Sequence, residues 1–114
     1  MNGISPQLQN QIAQYQQTQQ QLQAASTQRV QMEAQRREME RTVEELSKST
    51  GDVYRSAGAI LVKVGDKDAL KAELEESAET VGIRIKGLEK QEKSLRERYE
   101  ALHEAINKAM GTPE

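Results

Sequence analysis

The side chains with most capacity for chemistry in this sequence are one histidine, His103, an acidic group of Glu73, Glu75, Glu76 and Glu79, and the Arg36-Arg37 pair. A histidine can serve as general acid or base, or as a metal ligand. Either role needs a partner at fixed spacing. His103 has none in pattern. It falls beside Leu102, on the outer part of a helix and outside its apolar seam, which reads as a solvated imidazole. The four glutamates would hold a cation only if they converged in a cleft. At helical spacing, with no cleft evident, they read as a solvated face. Arg36-Arg37 could touch an acidic partner, but Glu33, Glu38 and Glu40 neutralise it locally. There is no Gly-rich phosphate loop and no nucleophile with a base in pattern. The expectation is a protein without catalytic residues, metal site or cofactor, and so not an enzyme.

Composition narrows the remaining classes. Of 114 residues, 35% are hydrophobic, 30% are charged, and the aromatics are three tyrosines without Phe or Trp. That apolar share lies below the usual ~45–50%. It suits a narrow seam between helices better than a thick core. Sixteen basic and eighteen acidic side chains give a net charge of −2, which argues against a phosphate-tracking surface and so against nucleic acid. The absence of cysteine excludes disulfides and thiolate metal sites. No apolar run approaches ~18 residues, so no membrane span is expected. No signal-peptide pattern opens the chain. A cytoplasmic protein is the default.

The elements that must position any site are two long helices. Helix one is expected over 6–49, with Ser5 as N-cap and Pro6 at the first helical position. Residues 1–28 carry eleven glutamines and no charged side chain. A disordered Gln tract is the low-complexity reading. Periodicity opposes it: Leu8, Ile12, Tyr15 and Leu22 fall at a/d spacing, with Gln19 in the remaining slot. Met32, Arg36, Met39, Val43 and Leu46 make a second series out of phase with the first. The mismatch reads as a stammer near Leu22 that overwinds the coil. Gly51 is the expected residue just past the helix end. Helix two is expected over 67–109, with Asp66 as N-cap. Leu74, Val81, Leu88, Leu95 and Leu102 recur every seven residues. Ala78, Ile85, Glu92, Tyr99 and Ile106 form the companion column. Pairs at i,i+4 support it: Glu89 with Lys93, Glu92 with Arg96, Glu104 with Lys108. Gly82 and Gly87 leave the rigidity of this helix open, and fraying is expected over Met110-Gly111-Thr112-Pro113.

Between the helices, residues 53–64 read as a β-hairpin: Val53 and Tyr54 in one strand, Ile60, Leu61, Val62 and Val64 in the other, around a turn-like Ser56-Ala57-Gly58-Ala59. A helix reversal needs only a short loop. An isolated two-stranded hairpin is marginal in water and leaves both edges unpaired. The expected fold class is therefore mainly α: one antiparallel coiled-coil hairpin domain over 1–114, joined at one end by a β-hairpin that serves as an oligomer interface. The paired termini would place Ile4, Leu8, Ile12, Ile106 and Met110 at the ends of the coil. With only two helices, terminal a/d side chains are not expected to be fully buried. Exposed aliphatics and a flexible Met suit binding of apolar segments.

This order of elements, with the Gln-rich opening Leu8-Gln9-Asn10-Gln11-Ile12-Ala13-Gln14-Tyr15-Gln16-Gln17, the central Val53–Val64 segment and the helix start Asp66-Lys67-Asp68-Ala69-Leu70, resembles a β-class prefoldin subunit of the archaeal type. An α-class subunit would carry two hairpins and a longer insert. The resemblance implies a hexamer of two α and four β subunits, with hairpins joined into β-barrels and coiled coils hanging below. It implies an ATP-independent holdase that takes unfolded client proteins at the tips and delivers them to a group II chaperonin. The competing reading from the residues is a structural coiled-coil spacer or assembly subunit without client binding.

Overall fold

The computed structural model describes residues 4–111. In chain order the elements are α1 (Pro6–Lys48), β1 (Tyr54–Ala57), β2 (Ile60–Lys63) and α2 (Lys67–Ala109). Both helices are 43 residues long. α1 starts where its cap dictates. The Ser5 hydroxyl accepts a hydrogen bond from the Leu8 N–H at 3.0 Å, and Pro6 follows with a φ already helical. α2 starts in the same way, with Asp66 Oδ1 accepting from the Ala69 N–H at 3.0 Å. Asp68 then lies in the positively polarised first turn. Gly51 is not the left-handed stop expected after α1; only Gly58 and Gly111 have positive φ among the described residues. Lys67 caps that end instead, its ammonium bonded to the Ser49 carbonyl at 2.5 Å. α2 closes at Gly111, φ 71°, whose N–H reaches the Lys108 carbonyl. Thr112 and Pro113 lie outside the described residues.

The chain folds as two compact units. One joins Met1–Arg29 to Lys86–Glu114, and in it the early part of α1 packs on the late part of α2. Its most buried positions are Leu8, Thr18, Ala25 and Glu92. The other runs from Val30 to Ile85 and contains the hairpin. There Leu46, Ala78 and Ile85 are buried, with Met32, Met39, Val43, Leu74 and Val81 half-buried around them. Each fully buried Leu or Ile contributes about 1.5–3 kcal/mol.

Burial along α1 corrects its phasing. Thr18 is the most enclosed side chain, at 1% exposure, while Gln19 is exposed and Ile12 flanks the seam. One series among the buried and half-buried positions runs Leu8, Gln11, Tyr15, Thr18, Leu22, Ala25, Arg29, Met32, Arg36, Met39, Val43, Leu46, with half-buried Ile12, Gln14, Ser26 and Glu33 flanking it. The steps are three and four in strict alternation, so the helix carries one continuous heptad and no stammer. Polar residues at seam positions hid it. Thr18 is tolerated there because its hydroxyl donates to the Gln14 carbonyl at 2.7 Å, which satisfies it within its own helix. In α2 both seven-residue columns lie on the inner face, as their spacing predicts.

β1 and β2 pair antiparallel, Tyr54 with Lys63 through Ala57 with Ile60. The turn is shorter than expected: Ser56 and Ala57 belong to β1, and only Gly58-Ala59 forms the loop. Gly58 has φ 63° and Ala59 a negative φ. Glycine first in a two-residue loop is the pattern of a type II′ turn, whose twist matches the strands it joins.

Candidate functional site

The hairpin exposes what most proteins cover. All eight strand residues are exposed. The register puts Arg55, Ala57, Ile60 and Val62 on one face, and Tyr54, Ser56, Leu61 and Lys63 on the other. Both faces carry open apolar surface: Ile60 is 63% exposed, Leu61 71%, Tyr54 54% and Val62 42%. Val53 and Val64 are half-buried at the base, where the Val64 N–H donates to the Val53 carbonyl at 2.8 Å. Neither helix of the chain covers this sheet. A Lys63–Asp52 ion pair at 3.6 Å is its nearest electrostatic tie, exposed enough to contribute little.

The second apolar feature lies in the unit that holds both chain ends. Ile4 is 46% exposed and Met110 62%, while Ile12 and Ile106 are half-buried. Leu8 departs from the expectation for a coil end, since it is only 8% exposed. Leu8 is a seam position of the α1 heptad. With Ser5, Gln7, Gln11, Ala105, Lys108 and Ala109 it lines a concavity of about 300 Å³. The concavity offers an apolar floor rimmed by amides and one ammonium.

The remaining polar residues of the seam are structural. Glu92, the one charged member of its column, is 4% exposed. It pairs across the seam with Arg29, not along the helix with Arg96: Arg29 Nε donates to Oε1, and Nη2 donates to Oε2 at 3.3 Å. Two-pronged geometry of this kind fixes register as well as charge. Gly82 has an equally local purpose. A Cβ there would lie 3.2 Å from Arg36 Cζ, so the missing side chain makes room for a guanidinium entering the seam. Arg36 Nε is buried and 3.4 Å from Glu40 Oε2, without a well-formed hydrogen bond. α2 runs unbroken through Gly82 and Gly87.

Tyr15 and Tyr99 stack with ring centroids 4.6 Å apart, and the Tyr15 hydroxyl donates to the Tyr99 oxygen at 2.7 Å. That bond, then desolvation, raises the pKa of Tyr15 above its ordinary value near 10. His103 is exposed, yet it is more than a free surface imidazole. Its ring stacks on Tyr15 at a centroid distance of 5.8 Å. Glu75 and Glu79 do border an open cleft, of about 320 Å³, with Arg36, Glu40, Val43 and Ala78. Arg36 supplies the cation there. Among the described residues no three His, Asp or Glu side chains converge to hold a metal, and no helix is long and apolar enough to cross a membrane.

An exposed hairpin between two long paired helices has close counterparts. A family profile described as Prefoldin subunit matches residues 9–112. The prefoldin subunit beta of Archaeoglobus fulgidus is 46% identical over 101 residues, which is 87% of this chain and 86% of that one. The prefoldin subunit beta of Thermococcus kodakarensis is 35% identical over 115 residues, 99% of this chain and 97% of that one. The crystal structure of the prefoldin beta subunit from Thermococcus strain KS-1 superposes with a TM-score of 0.83 at 34% identity, covering 99% of this chain and all of that one. The chain therefore belongs to the prefoldin family, as a non-enzymatic chaperone subunit that assembles with other prefoldin subunits.

Proposed function

We propose that this subunit works as an ATP-independent holdase. It joins a complex of two α and four β subunits through the hairpin residues Val53, Tyr54, Ile60, Leu61, Val62 and Val64. It holds unfolded polypeptides at the ends of its helices and passes them to a group II chaperonin in the cytoplasm. The observation that carries the client site is the exposure of Ile4 and Met110 beside half-buried Ile12 and Ile106. Exposed aliphatics gathered at one place suit apolar segments of any sequence, and a thioether adapts its shape to them. Leu8 belongs to the packing beneath that surface, since it is already enclosed.

Changing Ile4, Ile12, Ile106 and Met110 together to Ser tests the reading in an aggregation-suppression assay with the assembled complex. Client protection should be lost while complex mass and helix content stay as in wild type. Full protection by the quadruple variant would place client binding elsewhere. A Leu8→Ser change should lower the unfolding midpoint, because it removes a buried side chain worth roughly 2 kcal/mol or more.

A further inference from the structure

The client-holding role leaves one property of α1 unexplained. Residues 4–28 hold eleven glutamines and no charged side chain, in a chain where 30% of residues are charged. Helix formation does not demand this. Glutamine, glutamate, lysine and arginine have nearly equal helix propensities. Packing does not demand it either. Gln9, Asn10, Gln16, Gln17, Gln20 and Gln23 are all exposed, on the side of α1 turned away from its seam. The stretch of α2 in the same unit shows what an ordinary solvated face looks like here, with Lys86, Glu89, Lys90, Lys93, Arg96 and Glu97 all exposed.

Amides and charges treat an unfolded chain differently. A charged face sets up a potential of several kT that draws in one sign of partner and repels the other. A primary amide carries no net charge, yet it offers two donors and an acceptor with two lone pairs. Those groups match the peptide N–H and C=O that every unfolded segment exposes, whatever its side chains. The aliphatic contacts at Ile4 and Ile12, on the same stretch, are equally blind to charge.

We infer that the amide face of α1 over residues 4–28 is the surface clients lie against, and that it makes the substrate class unfolded polypeptides of either net charge. The inference rests on the client-holding reading above and adds the surface and the selectivity.

The test uses the assembled complex and two permanently unfolded probes: reduced, carboxymethylated α-lactalbumin, which is acidic, and reduced, carboxamidomethylated lysozyme, which is basic. Dissociation constants are read by fluorescence anisotropy at about 20 mM and about 500 mM NaCl, a range over which the Debye length falls from roughly 20 Å to about 4 Å. The two probes should bind within about threefold of each other, and salt should move either by less than about threefold, since no fixed charge on the surface is there to be screened. A joint Gln9→Glu, Gln16→Glu, Gln20→Glu and Gln23→Glu variant, checked for unchanged helix content, should bind the acidic probe about tenfold more weakly at low salt and regain affinity at high salt. Wild-type binding that favours one probe strongly at low salt and fades at high salt would overturn the inference, because the charges of α2 would then be making the capture. A four-glutamate variant that treats both probes as wild type does would overturn it too. Binding of neither probe at either salt would instead sink the holdase reading beneath it.

Discussion

The coil and the hairpin invert each other's chemistry. The coil takes polar side chains inside: Thr18 and Glu92 are among its most buried residues, and Arg29 and Arg36 occupy seam positions. The hairpin leaves Ile60, Leu61 and Val62 outside. A buried polar group costs free energy unless it is bonded, and an exposed apolar one costs it unless it is covered. The coil meets most of its own terms. Thr18 has the Gln14 carbonyl and Glu92 has Arg29, while Arg36, in the space left by Gly82, lies 3.4 Å from Glu40 with its Nε unbonded. Among the described residues nothing does the same for the strands. The hairpin leaves apolar surface open on both faces, and that surface is what the proposed junction with a neighbouring subunit would cover.

If the coil's polar residues are satisfied locally, breaking one partnership should be costly and replacing both partners should not. Glu92→Ala removes the buried carboxylate that bonds the Arg29 guanidinium across the seam and should lower coil stability by roughly 3 kcal/mol, read as the urea midpoint by circular dichroism. An Arg29→Leu, Glu92→Leu double variant should recover most of that loss. Equal destabilisation by the single and double variants would mean that the pair contributes packing alone. The two helical glycines give a smaller contrast. Nothing lies within 4 Å of a Cβ at Gly87, so Gly87→Ala should raise stability by about 0.5–1 kcal/mol. Gly82→Ala must push the Arg36 guanidinium aside and should gain less than Gly87→Ala or lose stability. The smallest effect belongs to the tyrosine pair. The pKa of Tyr15 is higher folded than unfolded, so its contribution is fully present below about pH 10 and is lost as pH rises through the folded pKa. Alkaline titration of helix content should show that loss in wild type and a weaker one in Tyr99→Phe, which lacks the accepting oxygen.

The fold was legible where physical patterns are short-range. Ser5-Pro6 and Asp66 set the helix starts, and the five-membered leucine and valine column of α2 set its inner face. α1 was harder because four of its twelve seam positions, Gln11, Thr18, Arg29 and Arg36, are polar. A search for apolar repeats passes over them and finds a false break. Continuing the α2 heptad opposite would have found the true phase, since the lone charge in that column, Glu92, requires a cation across the seam. The hairpin was legible as a unit, while its turn narrowed to Gly58-Ala59, with Gly58 at a left-handed φ of 63°. The chain ends were partly legible. Ile4 and Met110 are open as expected, whereas Leu8 is enclosed at its heptad position, where the end of a two-helix coil was expected to leave it open.

The mass of the complex formed with Lys at Ile60 or Val62 tests the incomplete hairpin most directly. Light scattering should show wild type, purified with its partner subunits, as an assembly far heavier than the 12.8 kDa chain. Ile60→Lys and Val62→Lys should fall apart to single subunits while helix content by circular dichroism is unchanged. Either variant remaining in a complex of wild-type mass would contradict the account, as would a wild-type chain that stays folded and solitary at micromolar concentration.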